Sequence, residues 1–241
     1  KQTMATKLLI NDEKHAYGVE ISIENGTTFR VHSSKEVIVS AGAINSPQLL
    51  MLSGLGPKKH LNELGIPLVQ DLKVGYNLQD HILVHSQSLQ MESTVTREDF
   101  NESDVFYNYL TKRTDLGGPG LLDTMIFIDT LHEVNNDYPD VQLHFFFFPA
   151  KNEPLMRRMY DNLTNLRTEF SKPVVESNAL RDVVNFLPTL LRPKSRGRIS
   201  LRSADPLDAP IIVSGYLTHR DDVDVLIRGM KFVEKLAETQ T

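Results

Sequence analysis

Apolar and polar residues alternate most clearly over residues 17–32. Val19, Ile21 and Ile23 are separated by polar neighbours, Asn25-Gly26 interrupts, and Phe29 and Val31 resume the alternation. A period of two is that of a strand with one buried face, and Asn-Gly supplies the positive φ values of a tight turn, so the stretch predicts a hairpin. Leu8-Leu9-Ile10 predicts a strand before it. Residues 37–39, Val-Ile-Val, form an unbroken apolar run instead, which predicts a strand covered on both faces, as in a parallel sheet. Four small residues follow, Ser40-Ala41-Gly42-Ala43, and then Ser46-Pro47 reads as an N-cap and first helical residue, since proline lacks only an N–H that would be unpaired there. The helix so begun runs over 48–52 and stops at Gly54 and Gly56. A second short helix is predicted over 57–64, with Gly65 as its stop.

Further along, residues 82–84 and 141–148 predict strands, the latter ended by Pro149. Residues 91–115 are polar and helix-prone, and Gly117-Gly118-Pro119-Gly120 is a loop. Residues 198–202 alternate as a strand, and Asp205 to Pro210 form a turn before the apolar residues 211–213. After Asp221, the residues Val223, Leu226, Ile227, Met230, Val233, Leu236 and Ala237 recur at helical spacing and predict an amphipathic helix. A strand, a small-residue turn and a helix lead the chain; antiparallel-type strands mixed with helices follow. The fold class is therefore α/β plus α+β, divided near Asp80 into regions 1–79 and 80–241. No internal repeat is present.

Composition narrows the partners. Lys and Arg number 26 against 31 Asp and Glu, a net charge of −5, and 40% of residues are hydrophobic, as in a globular chain. The densest basic stretch, 192–202, is broken by Pro193, Ser195 and Gly197, which argues against nucleic acid, whose phosphates demand a concentrated basic field. No apolar run approaches the ~20 residues of a membrane span. There is no cysteine, hence no disulfide, thiolate ligand or cysteine nucleophile within these residues. Three glycosylation sequons, at Asn25, Asn101 and Asn162, point to secretion. The chain opens on Lys1 and closes just after a well-formed helix, and so reads as a piece of a longer protein.

Candidate chemistry is sparse. His81 and His85 have the spacing of two ligands on one face, but the glutamate of a metalloprotease pattern is missing, and no metal is expected. His144 shares a strand face with Gln142, Phe146 and Phe148, and reads either as a hydrogen-bonded histidine at a core edge or as a substrate contact. Asp221, Asp222 and Asp224 suit the positive end of a helix better than a metal. Neither Gly-x-Ser-x-Gly nor the phosphate-cradling Gly-x-Gly-x-x-Gly occurs.

Taken whole, the stretch from Val39 through Ser40-Ala41-Gly42-Ala43-Ile44-Asn45-Ser46-Pro47 to Pro57 resembles the second signature of the glucose–methanol–choline (GMC) family of FAD-dependent oxidoreductases. The overall wording of the chain resembles the insect glucose-dehydrogenase-like branch more than choline or cholesterol oxidases. Val74-Gly75-Tyr76-Asn77-Leu78-Gln79-Asp80-His81 resembles the segment that follows it, and from about residue 193 the chain, with Tyr216 and the last helix, resembles the start of the family's C-terminal segment. The resemblance implies part of an FAD-binding Rossmann-like domain followed by a substrate-binding domain on an antiparallel sheet. It implies FAD as cofactor and oxidation of a CH–OH group of a small alcohol or sugar by hydride transfer to flavin N5, with a quinone or oxygen as electron acceptor. Residue by residue, Ser40, Ala41 and Gly42 match the strand-end turn that approaches FAD, and Ala5 matches a backbone contact on its adenine side; the other reading of all four is close packing beneath a helix. Gln142 and His144 are the candidates for the substrate side. No catalytic residue carries over, because the family's histidine pair is expected beyond this C-terminus. An alternative is a binding protein on the same fold that has lost its chemistry.

Overall fold

The computed structural model describes residues 2–24, 26–85, 87–91, 102–113, 125–131, 138–148, 150, 153–160 and 167–239. The sequon asparagines Asn25, Asn101 and Asn162 and the 117–120 loop lie outside these residues. The chain folds as two compact units. One takes residues 1–80 and 195–219, the other 81–194 and 220–241. Residues 195–219 thus return to the first unit, close to the start of the C-terminal segment marked near residue 193.

In the first unit, β1 (Thr3–Ile10), β2 (Ala16–Ile23) and β3 (Thr28–His32) form an antiparallel sheet in that order. Val19 lies opposite Val31 and Ile21 opposite Phe29, the register the alternation predicts. The connection is closed by the Gly26 N–H donating to Ile23 O at 2.8 Å and the Ile23 N–H to Thr27 O at 3.0 Å. Gly26 takes φ +81°, where a side chain would be strained. Helix α1 (Gly42–Leu52) packs on β1, whose Leu8 N–H donates to Ser53 Oγ at 2.8 Å. Strands β4 (Leu55–Gly56) and β5 (Gln70–Asp71) pair in parallel around α2 (Lys58–Glu63), which ends at Gly65, φ +68°. Strand β6 (Tyr76–Leu78) joins two strands of the returning segment, β12 (Gly197–Ser200) and β13 (Ile211–Val213), in the order β13-β12-β6. Met51, Leu52, Leu61, Ile66, Ile199 and Leu201 make the buried core, so residues near 200 complete what residues near 50 begin.

The second unit is one antiparallel sheet. β7 (Ile82–Leu83) and β8 (Gln87–Gln90) both pair with β11 (Val183–Leu190), which pairs with β10 (Val141–Phe148), which pairs with β9 (Met125–Ile128). Helix α6 (Arg220–Ala237) covers one face, burying Val233 against Val141 and Leu143. Helices α4 (Glu153–Met159) and α5 (Thr168–Ser177) cover part of the other, where Phe148, Met156, Tyr160, Val175 and Val183 are buried together. α3 (Glu102–Lys112) falls within the helix-prone stretch.

Three expectations are corrected. Residues 37–39 form no strand, and Ile38 is 78% exposed, because an apolar strand is buried only when strands flank it and none of the described strands does. α1 begins at Gly42 rather than at Pro47, which sits inside it; Ser46 is no N-cap but reaches back, its Oγ accepting the Ala41 N–H at 2.9 Å. The buried stripe of α6 is Asp222, Leu226, Gly229 and Val233, rotated from the predicted one, so that Ile227 faces out. Strand β11, central to its sheet, carries Pro188, which cannot donate to a ladder. The partner side is broken there, between β7 and β8, where the Val84 N–H reaches Pro188 O at 2.9 Å.

Candidate functional site

The first unit holds Ala5, Ser40, Ala41 and Gly42. Ala5 lies on β1 opposite Ile21, at an irregularity between Ala5 and Lys7, and is exposed. Ser40, Ala41 and Gly42 form the exposed turn that enters α1. Gly42 takes φ +87°, and a Cβ built there would meet nothing within 4 Å among the described residues. At Gly42 that space does not accord with close packing, the alternative reading of the small residues. The turn offers bare backbone at the positive end of an eleven-residue helix, an arrangement suited to a cofactor that approaches the main chain closely. The turn at Gly42 therefore fits the group that the resemblance implies.

Gln142 and His144 lie in the second unit. They share the face of β10 that also bears Phe146 and Phe148, and both are half-buried. Directly opposite stand Phe127 and Met125 on one side and Thr189 and Leu187 on the other. Gln142 Nε2 donates to Met125 Sδ at 3.0 Å. Burial, and secondarily the charge of His81, lowers the His144 pKa below its ordinary value, which keeps the imidazole neutral and able to accept a proton or a hydrogen bond. α4 and α5 cover the Phe148 end of this face, while Met125 and Phe127 at the other end are 46% and 56% exposed. What results is a half-open surface of polar, sulfur and aromatic groups, able to hold a small hydroxylated molecule. Met125 and Phe127 were not singled out from sequence; four apolar residues in a row, Met-Ile-Phe-Ile, are too short a signal, and pairing with β10 reveals their place.

The remaining candidates separate. His85 turns inward onto the Tyr160 ring, with ring centroids 4.7 Å apart, whereas His81 is exposed and acts on His144. Among the described residues no group of three or more His, Asp or Glu could hold a metal. Of the acidic trio on α6, Asp224 pairs with Arg220 at 3.0 Å, Asp221 with Lys194, and Asp222 is 1% exposed, accepting the Lys194 N–H at 2.7 Å. No described helix is long and apolar enough to cross a membrane.

Two family models, both described as GMC oxidoreductase, match residues 1–83 and 193–241. Among curated proteins, glucose dehydrogenase [FAD, quinone] of Drosophila melanogaster is 35% identical over 239 residues, 98% of this chain and 36% of the relative. Ecdysone oxidase of Bombyx mori is 32% identical over 99% of this chain and 35% of its own length. Oxygen-dependent choline dehydrogenase of Brucella suis is 36% identical over 89% of this chain and 35% of its own. The chain thus spans about a third of the length of the curated relatives it matches. Among solved structures, the formate oxidase of Aspergillus oryzae RIB40 superposes with a TM-score of 0.74 at 24% identity, covering 97% of this chain and 42% of that one. Pyridoxine 4-oxidase from Mesorbium loti gives 0.67 at 19% identity, covering 99% and 38%. At such identity the structures speak for the fold.

Proposed function

The chain belongs to the GMC oxidoreductase family, and from that premise we propose that it is part of an FAD-dependent oxidoreductase acting on the CH–OH group of a small alcohol or sugar. The observation that carries the reading is the exposed turn 40–42, with Gly42 in the left-handed region and open space where a side chain would stand. FAD, when bound, supplies the acceptor for the hydride that leaves the substrate carbon. Ser40, Ala41 and Gly42 hold it through close main-chain approach at the helix N-terminus, with Ala5 on the adenine side. Gln142 and His144 contact the substrate, a neutral His144 accepting a hydrogen bond from a substrate hydroxyl and Gln142 orienting a second one. Quinone or oxygen takes the electrons onward, and secretion accords with the three sequons.

The test uses the protein at its natural length. Purified protein is expected to show flavin absorbance that bleaches anaerobically on adding its alcohol or sugar; restoring the colour with oxygen or with a quinone identifies the acceptor. Gly42→Val is expected to lower the flavin content several-fold while far-UV circular dichroism stays unchanged, since the new side chain fills the open space. Full flavin content in that variant would remove Gly42 from the cofactor site. Flavin that no alcohol or sugar bleaches would favour a binding protein that has lost its chemistry.

A further inference from the structure

A cavity of about 330 Å³ opens in the first unit, between α2 and β12 at the far end of α1. It is separate from the turn at Gly42: the eleven residues of α1 span ~16 Å at about 1.5 Å per residue, and the cavity is floored by Met51, next to the last residue of that helix. Its size is at the low end of small-molecule sites, roughly 300–1,000 Å³. Ile199 completes an apolar floor, and Lys59, His60, Glu63 and Arg198 stand around it.

The charges do not balance. Lys59 Nζ lies 3.9 Å from Glu63 Oε1, one turn along the same helix, so these two offset each other. Arg198 has no ion-pair or hydrogen-bond partner among the described residues, yet its backbone is held, β12 being paired on both sides, with Val213 and with Tyr76 opposite Arg198. His60 Nε2 accepts the Leu201 N–H at 3.0 Å. A ring nitrogen that accepts carries no proton, so in the neutral ring the proton is on Nδ1, and that backbone contact makes Nδ1 a donor. The cavity therefore presents a planar guanidinium fork and a fixed imidazole donor above an apolar floor, with a surplus of one positive charge.

We propose that this cavity binds a small organic monocarboxylate. The carboxylate sits on the Arg198 guanidinium and the His60 Nδ1–H, and a short apolar group lies over Met51 and Ile199. A planar carboxylate matches the guanidinium fork in two parallel hydrogen bonds. A phosphate dianion would need a second uncompensated cation, and Glu63 removes Lys59 from that role.

The experiment is calorimetric titration of the whole chain with sodium butyrate, with inorganic phosphate and sodium chloride at matched ionic strength as the comparison arms, and with thermal melting as a second readout. Saturable butyrate binding with a raised Tm is expected, and neither comparison salt should reproduce it. Arg198→Ala should weaken binding by about tenfold or more, the usual consequence of losing a charge-assisted hydrogen bond. Arg198→Lys keeps the charge and the stem but loses the fork, and should fall between the two; it carries the test if the alanine variant melts low. Absence of saturable butyrate binding, binding indifferent to both Arg198 substitutions, or phosphate binding tighter than butyrate would each overturn the proposal. No flavin takes part, so failure here leaves the oxidoreductase reading where it stands, and the reverse.

Discussion

Tyr160 is a phenol inside a core. It is 2% exposed, its hydroxyl oxygen accepts Asn185 Nδ2 at 3.0 Å, and Asn185 Oδ1 in turn accepts the Ser88 hydroxyl at 2.6 Å. Burial pushes its pKa from 10 up to about 12, despite the hydrogen bonds from Ser88 and Asn185, which pull the other way. A group whose folded pKa is raised contributes stability that is complete below its unfolded value and is lost as pH climbs through the folded one. The second unit should accordingly lose stability between pH 10 and about 12, where the unfolded chain gives up the proton and the native one keeps it. Tyr160→Phe should cost about 1–3 kcal/mol at neutral pH, because Asn185 loses a buried partner, and should flatten the decline above pH 10. Urea denaturation at several alkaline pH values reads both effects; an unchanged slope would show that another group governs it. Beside Tyr160, burial lowers the pKa of His85 below 6.5, so its contribution runs the opposite way and is lost as pH falls. None of this polar cluster was legible beforehand. Asn185 looks like an interruption in an apolar run, and its neighbours Ser88 and Tyr160 are supplied by chain positions 97 and 25 residues away.

Helix α6 shows how far periodicity carries at the scale of an element. Spacing placed the helix and its amphipathic character correctly, but the stripe that is buried runs through Gly229, whose absent side chain lets the helix approach β10 and β11. A Cβ at Gly229 would lie 3.1 Å from a Val141 methyl and 3.3 Å from Pro188 Cβ. Gly229→Leu should therefore destabilise the second unit by about 1–3 kcal/mol through overpacking, although leucine is the better helix former. Thermal melting checks it; a variant as stable as the parent would mean that α6 can shift outward without loss. Sequence placed the hairpin, α2, β10 and β12 because their signals lie within a few residues of one another. It missed β11 because a proline forbids a central strand unless the opposite ladder is interrupted, and the interruption between β7 and β8 is visible only once both strands are paired. It placed a strand over 37–39 because an apolar run reports a preference for burial without reporting the neighbour that satisfies it.

For the whole molecule, membership of the GMC oxidoreductase family joins two units of different construction, and the three sequons add a prediction of their own. If the natural-length protein is secreted from an insect or mammalian host, glycosidase treatment should lower its apparent mass, and substituting Asn25, Asn101 and Asn162 by glutamine should abolish that change. A mass indifferent to glycosidase would mean that none of the three sequons is used. The family, the hairpin, the small-residue turn and the amphipathic helix were readable from the chain alone, since each rests on residue types at fixed short spacings. The fold had to settle the rest: that residues 195–219 return to complete the first core, that Gln142 and His144 gain Met125 and Phe127 as neighbours, and that Arg198, His60 and Met51 line one cavity. Each of these brings together side chains from separate elements, and such contacts are set by packing and pairing across the fold, which no local pattern encodes.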